Sequence, residues 1–130
     1  MMQYFYCFAN ASLTLRMIHY LFNQPGIHTT CVTVIYLVDC WVMRIQLEAP
    51  LEPKTCLDFK AFLSENGLPY QPSLHESRAL AHLDAGRSLT EVMNRYHLVI
   101  VSHGIPQPEE LEVFRRRFID GLGYCPQNLV

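Results

Sequence analysis

The sequence predicts an α/β (or α+β) fold: a small sheet of three or four strands, helices packed on it, and a helical hairpin inserted between two β-α units. Three observations carry this expectation. The chain has 130 residues, half of them apolar and 17% charged, which suits one compact domain and is too short for two of ordinary size. Segments with strand-like and helix-like apolar spacing alternate, separated by Pro, Gly and Asn. A six-residue pattern also recurs at a fixed offset, with two helical segments between its copies.

The elements follow in order. Gln3 to Phe8 reads as a strand, and Ser12 to Phe22 as a helix with Leu13, Met17, Tyr20 and Leu21 near one face. Asn10-Ala11-Ser12 fits a glycosylation sequon, but its position suits a helix start better. A turn at Asn23-Gln24-Pro25-Gly26 leads to a long strand region, Thr30 to Glu48, which must bend, bulge or divide because strands usually run about five or six residues. From Arg44 to Glu48, polar and apolar residues alternate as in a half-buried strand.

Beyond the Pro50 to Pro53 loop, Thr55 and Asp58 have capping-box spacing for a helix from Cys56 to Glu65, stopped at Asn66-Gly67. A Pro-rich link, Leu68 to Pro72, precedes a helix from Leu74 to Asp84, closed by Gly86. Ser88 and Glu91 open a third helix, with Leu89, Val92, Met93 and Tyr96 on one face. His97 to Val101 is the next predicted strand. Pro106 and Pro108 introduce a final helix ended by Gly121 and Gly123. Phe62, Leu63, Phe114 and Phe118 are expected in the core.

Gly67-Leu68-Pro69-Tyr70-Gln71-Pro72 and Gly121-Leu122-Gly123-Tyr124-Cys125-Pro126 share the pattern G-L-x-Y-x-P. Carried backwards, the same offset places Ile45 on Val99 and Leu47 on Val101, suggesting two related β-α units. Charge is also divided. Before Met43 the only Asp, Glu, Lys or Arg residues are Arg16 and Asp39. Together these features suggest a sub-unit spanning 43–130, with residues 1–42 as an apolar addition.

Ten Lys and Arg against twelve Asp and Glu leave a net charge of −2, which removes the electrostatic footprint of a general nucleic-acid binder. Cys7, Cys31, Cys40, Cys56 and Cys125 are widely spaced and odd in number, without a C-x-x-C pair, and read as reduced thiols of a cytoplasmic protein. The first basic residue is Arg16, so no secretory signal is expected. The apolar run from Cys31 to Met43 is too short and too β-branched for a membrane span.

The residues suggest three classes of site. Ala79 to Leu98 has the outline of a helix-turn-helix, in which Arg87 and Arg95 would meet phosphate or base edges; Glu91 on the same helix opposes this. Arg115, Arg116 and Arg117 diverge around their helix, and the acidic first turn of that helix repels phosphate. Ser102 and His103 leave the carboxyl end of a strand, and the offset sets Glu48 opposite Ser102. If those strands are parallel neighbours, Glu48, Ser102 and His103 share one rim and could support proton-transfer or hydrolytic chemistry.

His75 and His82 are about 10 Å apart along a helix, and His97 and His103 about 20 Å apart along a strand, so neither pair makes a metal site. No metal or cofactor is expected. The resulting expectation is a small non-catalytic binding or regulatory protein acting through a protein interface, with another protein or a second copy as partner. A helix-turn-helix DNA regulator is the alternative, and a small hydrolase using the Ser102/His103 rim the next.

Overall fold

The computed structural model describes residues 2–105 and 107–130, and among these an α/β arrangement of five helices and one five-stranded antiparallel sheet. In chain order the elements are β1 (Met2–Phe8), α1 (Ala11–Asn23), β2 (Thr29–Tyr36), β3 (Trp41–Leu47), α2 (Pro53–Asn66), β4 (Leu68–Pro69), α3 (Leu74–Asp84), α4 (Leu89–Tyr96), β5 (Val99–Gly104) and α5 (Pro108–Leu122). The strand order is β4-β1-β3-β2-β5. Pro106, expected to help introduce the last helix, lies outside the described residues; Pro108 occupies the first turn of α5.

The sheet has more strands than the three or four expected, for two local reasons. The long region from Thr30 to Glu48 divides at Leu37–Cys40, where the Leu37 N–H donates to the Cys40 carbonyl at 2.8 Å, so one apolar run becomes the β2–β3 hairpin. Leu68-Pro69, expected to be only a link, pairs with Cys7 and Tyr6 as a short edge strand. Its approach depends on Gly67: a Cβ there would lie 2.6 Å from the Cys7 carbonyl oxygen.

Several helix ends follow the expected chemistry. Asn10 caps α1, its side chain accepting from the Leu13 N–H at 2.9 Å. Ser88 caps α4 by accepting from the Glu91 N–H. The Ser73–Glu76 pair forms a full reciprocal capping box on α3, whereas the Thr55–Asp58 box expected for α2 is not used. That helix begins earlier, with Pro53 in its first turn. His97, expected to open a strand, instead closes α4 in a left-handed conformation with φ 54°, and β5 is displaced to Val99–Gly104.

The two segments of the suggested repeat each run from strand to Pro-led helix, but their ends differ. Gly67 is extended and leads into β4, while Gly121 lies inside α5 and Gly123 is its left-handed cap. The strands holding Ile45 and Val99 run in the same direction, but β2 separates them. The suggested boundary at Met43 falls inside β3, whose two neighbours, β1 and β2, both come from residues 1–42. A chain starting at Met43 would lose both ladders of the central strand.

Alternation along the strands gives the sheet two different faces. On the first, Val32, Val34, Trp41, Met43, Ile45 and Leu47 are buried beneath α1, α2, α5 and the C-terminal turn carrying Leu129. Trp41 is fully buried, and its Nε1–H donates to the Asn128 carbonyl at 2.7 Å. Leu63 is fully buried as expected, and Phe62, Phe114 and Phe118 are half-buried against the same core. On the second face, the α3–α4 hairpin covers Ile35, Val42 and Ile100 with Ala79, Leu80, Leu83 and Val92. Beyond the hairpin, the face turns polar.

Candidate functional site

The polar part of the second face is built around Arg44. Register places Phe5, Arg44, Thr33 and His103 level with one another across β1, β3, β2 and β5. Arg44 is only 3% exposed, and α3 supplies its counter-charge from the last helical residue, Asp84. Two charge-assisted bonds join them, Arg44 Nη1 to Asp84 Oδ2 at 2.9 Å and Nη2 to Oδ1 at 2.8 Å. Arg44 Nη2 also donates to Thr33 Oγ1 at 3.2 Å, and Thr33 Oγ1 lies 2.8 Å from His103 Nδ1.

A guanidinium only donates, so Thr33 Oγ1 accepts from Arg44. The same hydroxyl shares a second hydrogen bond with His103 Nδ1, in which either atom can be the donor according to the imidazole tautomer. Burial holds the imidazole below its ordinary pKa; the Arg44 charge lowers it further, and Asp84 partly opposes. The Cys31 Sγ stands 3.7 Å from the same nitrogen. A cleft of about 400 Å³ adjoins Arg44 and Asp84, walled by Phe5, Tyr70 and Leu80 and edged by Gln3 and Gln71.

The residues expected to form a hydrolytic rim do not converge. Ser102 is paired with Val34 and buried on the first face, whereas His103, paired with Thr33, occupies the second. Glu48 lies beyond the end of β3, four positions past Arg44 and two strand spacings from β5, which separates it from His103 by about 16 Å. Its backbone N–H bonds the His28 carbonyl, and it borders a different cavity with Leu21, Phe22 and Ile105.

The hairpin does contain two helices joined by a tight turn, but its arginines are engaged differently. Arg87 Nη1 bonds Glu91 Oε1 at 3.0 Å, one turn apart on the helix surface. Arg95 lies over the Tyr96 ring, 5.8 Å from its centroid. With His75, Arg78 and His82, Arg95 and Tyr96 line a groove to which no carboxylate contributes among the described residues. Arg87 is not part of that groove.

A largely apolar concavity lies beside β5, at one edge of the sheet. It encloses about 640 Å³ between Val101 of β5 and Val113, Phe114 and Phe118 of α5, with Glu109, Glu110 and Arg117 at its margins. β5 has a single strand neighbour, β2, among the described residues. The outer backbone edge of β5 is therefore unpaired, next to an apolar wall.

Sequence reasoning missed Arg44, Thr33, Asp84 and Cys31. The alternation from Arg44 to Glu48 gives Arg44 the polar side of a half-buried strand, with nothing local to show that a helix covers it. One local sign was present: Asp84 in the last turn of a helix opposes the helix dipole and calls for a cation elsewhere. The expected absence of a membrane span has one structural counterpart: no described helix is long and apolar enough to cross a membrane. No family model, no curated protein and no solved structure matches this chain.

The lowered pKa of His103 gives the fold a pH dependence of definite sign. Between its folded value and the unfolded value of about 6.5, the unfolded chain binds the extra proton. The His103 contribution is therefore intact above about pH 6.5 and is lost as pH falls through the folded value. Urea melts from neutral to acid pH should show this decline, flattened in His103→Gln, and NMR titration should place the imidazole below 6.5. An ordinary or raised pKa at His103 would contradict the network.

Proposed function

We propose that the chain is a small, cytoplasmic, non-catalytic binding protein that acts through a protein interface formed by the outer edge of β5 and the neighbouring face of α5. The observation that carries this reading is the coincidence of an unpaired strand edge with the apolar groove of Val101, Val113, Phe114 and Phe118. An exposed edge supplies main-chain donors and acceptors for an incoming strand, and the apolar wall supplies area to bury. Val99 at the edge and Val113 on the helix are both exposed, so this apolar surface already meets solvent. The other end of the sheet is ended differently, by the two-residue strand β4.

A benzophenone amino acid at Val113 tests the reading in cells that produce the protein. Irradiation should give a discrete protein adduct from Val113, and none from a control at Leu57, an exposed apolar residue on α2. No adduct at Val113, or the same products from both positions, would contradict it.

The helix-turn-helix reading is favoured by one observation, the basic groove of Arg78, Arg95, His75 and His82 on the α3–α4 hairpin. It is opposed by the Arg87–Glu91 pair and by the net charge of −2. The protein-binding reading predicts no duplex binding tighter than about 10 μM near physiological salt. A tighter mobility shift that weakens in Arg87→Ala and Arg95→Ala would favour the DNA regulator instead.

A further inference from the structure

From the order of charges along α5, we infer that the occupant of the β5–α5 surface is a second copy of this chain, so that the protein is a symmetric homodimer; this rests on the interface proposed above. Along the groove, α5 presents Glu110, then Val113 and Phe114, then Arg117. These positions form one helical stripe at i, i+3, i+4 and i+7. The stripe is acidic at its N-terminal end, apolar in the middle and basic at its C-terminal end. Neither Glu110 nor Arg117 has an ion-pair partner among the described residues.

Such a stripe is complementary to itself under a two-fold axis. When β5 pairs with the β5 of a second copy in antiparallel fashion, the axis runs perpendicular to the joined sheet and brings the two α5 helices together on the same side, also antiparallel. Centred between Val113 and Phe114, that arrangement sets Glu110 of each protomer against Arg117 of the other. Val113 of each then faces Phe114 of the other. The same operation gives every exposed β5 backbone group a hydrogen-bonding edge and joins two five-stranded sheets into one. A partner without this charge order would match one end of the stripe and miss the other, which is why the second copy is favoured over an unrelated strand.

Sedimentation equilibrium of the full chain over about 1 to 100 μM tests the inference, with a chain mass of 15.1 kDa as the monomer reference. The wild type should sediment at twice that mass. Glu110→Arg alone and Arg117→Glu alone each place like charges opposite one another and should weaken self-association at least about tenfold at low salt. Mixed together, the two variants should form a heterodimer, because each supplies the charge the other now needs at both ends of the stripe. Val113→Asp should give monomers without rescue by mixing.

A wild-type chain that remains monomeric at about 100 μM overturns the inference. So does a dimer that the charge reversals leave unchanged, since its contact then lies elsewhere. The photo-crosslink at Val113 separates this failure from that of the underlying reading. A monomeric chain whose Val113 adduct contains a different protein removes the second copy and keeps the binding surface; a monomeric chain without any adduct removes both.

Discussion

A guanidinium buried on the central strand sets the terms for the second face of this protein. Arg44 sits on β3 between β1 and β2 and is almost wholly withdrawn from water, a position that costs several kcal/mol for an unpaired charge. Its compensation comes from another element, Asp84 at the end of α3, through two short bonds. The pair therefore ties the end of α3 to the central strand. Leu80 and Leu83 are carried onto Ile35 and Val42 by the same helix that supplies the carboxylate.

That anchoring divides the molecule into surfaces with different capacities. The first face is closed by three helices and an aromatic cluster in which Tyr36, Trp41, Phe114 and Phe118 pack edge to face or tilted. On the second face, the apolar cover ends near Arg44, and Thr33 and His103 continue the polar chain to β5. Among the described residues β5 ends the sheet with an open edge, overlooked by the outer stripe of α5. The interior contacts that hold α5 use Leu111 and the inner sides of Phe114 and Phe118, leaving Val113 and Arg117 outward. Core packing and the proposed binding surface thus use neighbouring residues of one helix.

Much of the fold was legible from local chemistry because its elements have strong local signals. Asn10, Ser88, Pro108 and Gly123 mark helix ends where the sequence places them, and the helical hairpin emerges between the same strands. Errors arose where tertiary pairing decides the outcome. Leu68-Pro69 has no strand signal of its own; it becomes a strand because Gly67 lets it approach Cys7 and Tyr6. His97 has a β-like neighbourhood but caps a helix. The candidate site was less legible still, since Arg44 and Asp84 are forty positions apart and Ser102 and His103, adjacent in sequence, point to opposite faces. An alternating strand alone cannot say whether its polar side meets water or a helix.

A double-mutant cycle on Arg44 and Asp84, read by urea unfolding of the full chain, tests the anchoring role most directly. Asp84→Ala leaves a buried guanidinium without its counter-charge and should cost about 3 kcal/mol, whereas Arg44→Met removes the charge and leaves a carboxylate that still reaches solvent. The double variant should be no less stable than Arg44→Met alone, giving strong coupling between the two sites. A loss below about 0.5 kcal/mol for Asp84→Ala, with effects that simply add, would show that the hairpin is held by its apolar contacts and that the ion pair does not place it.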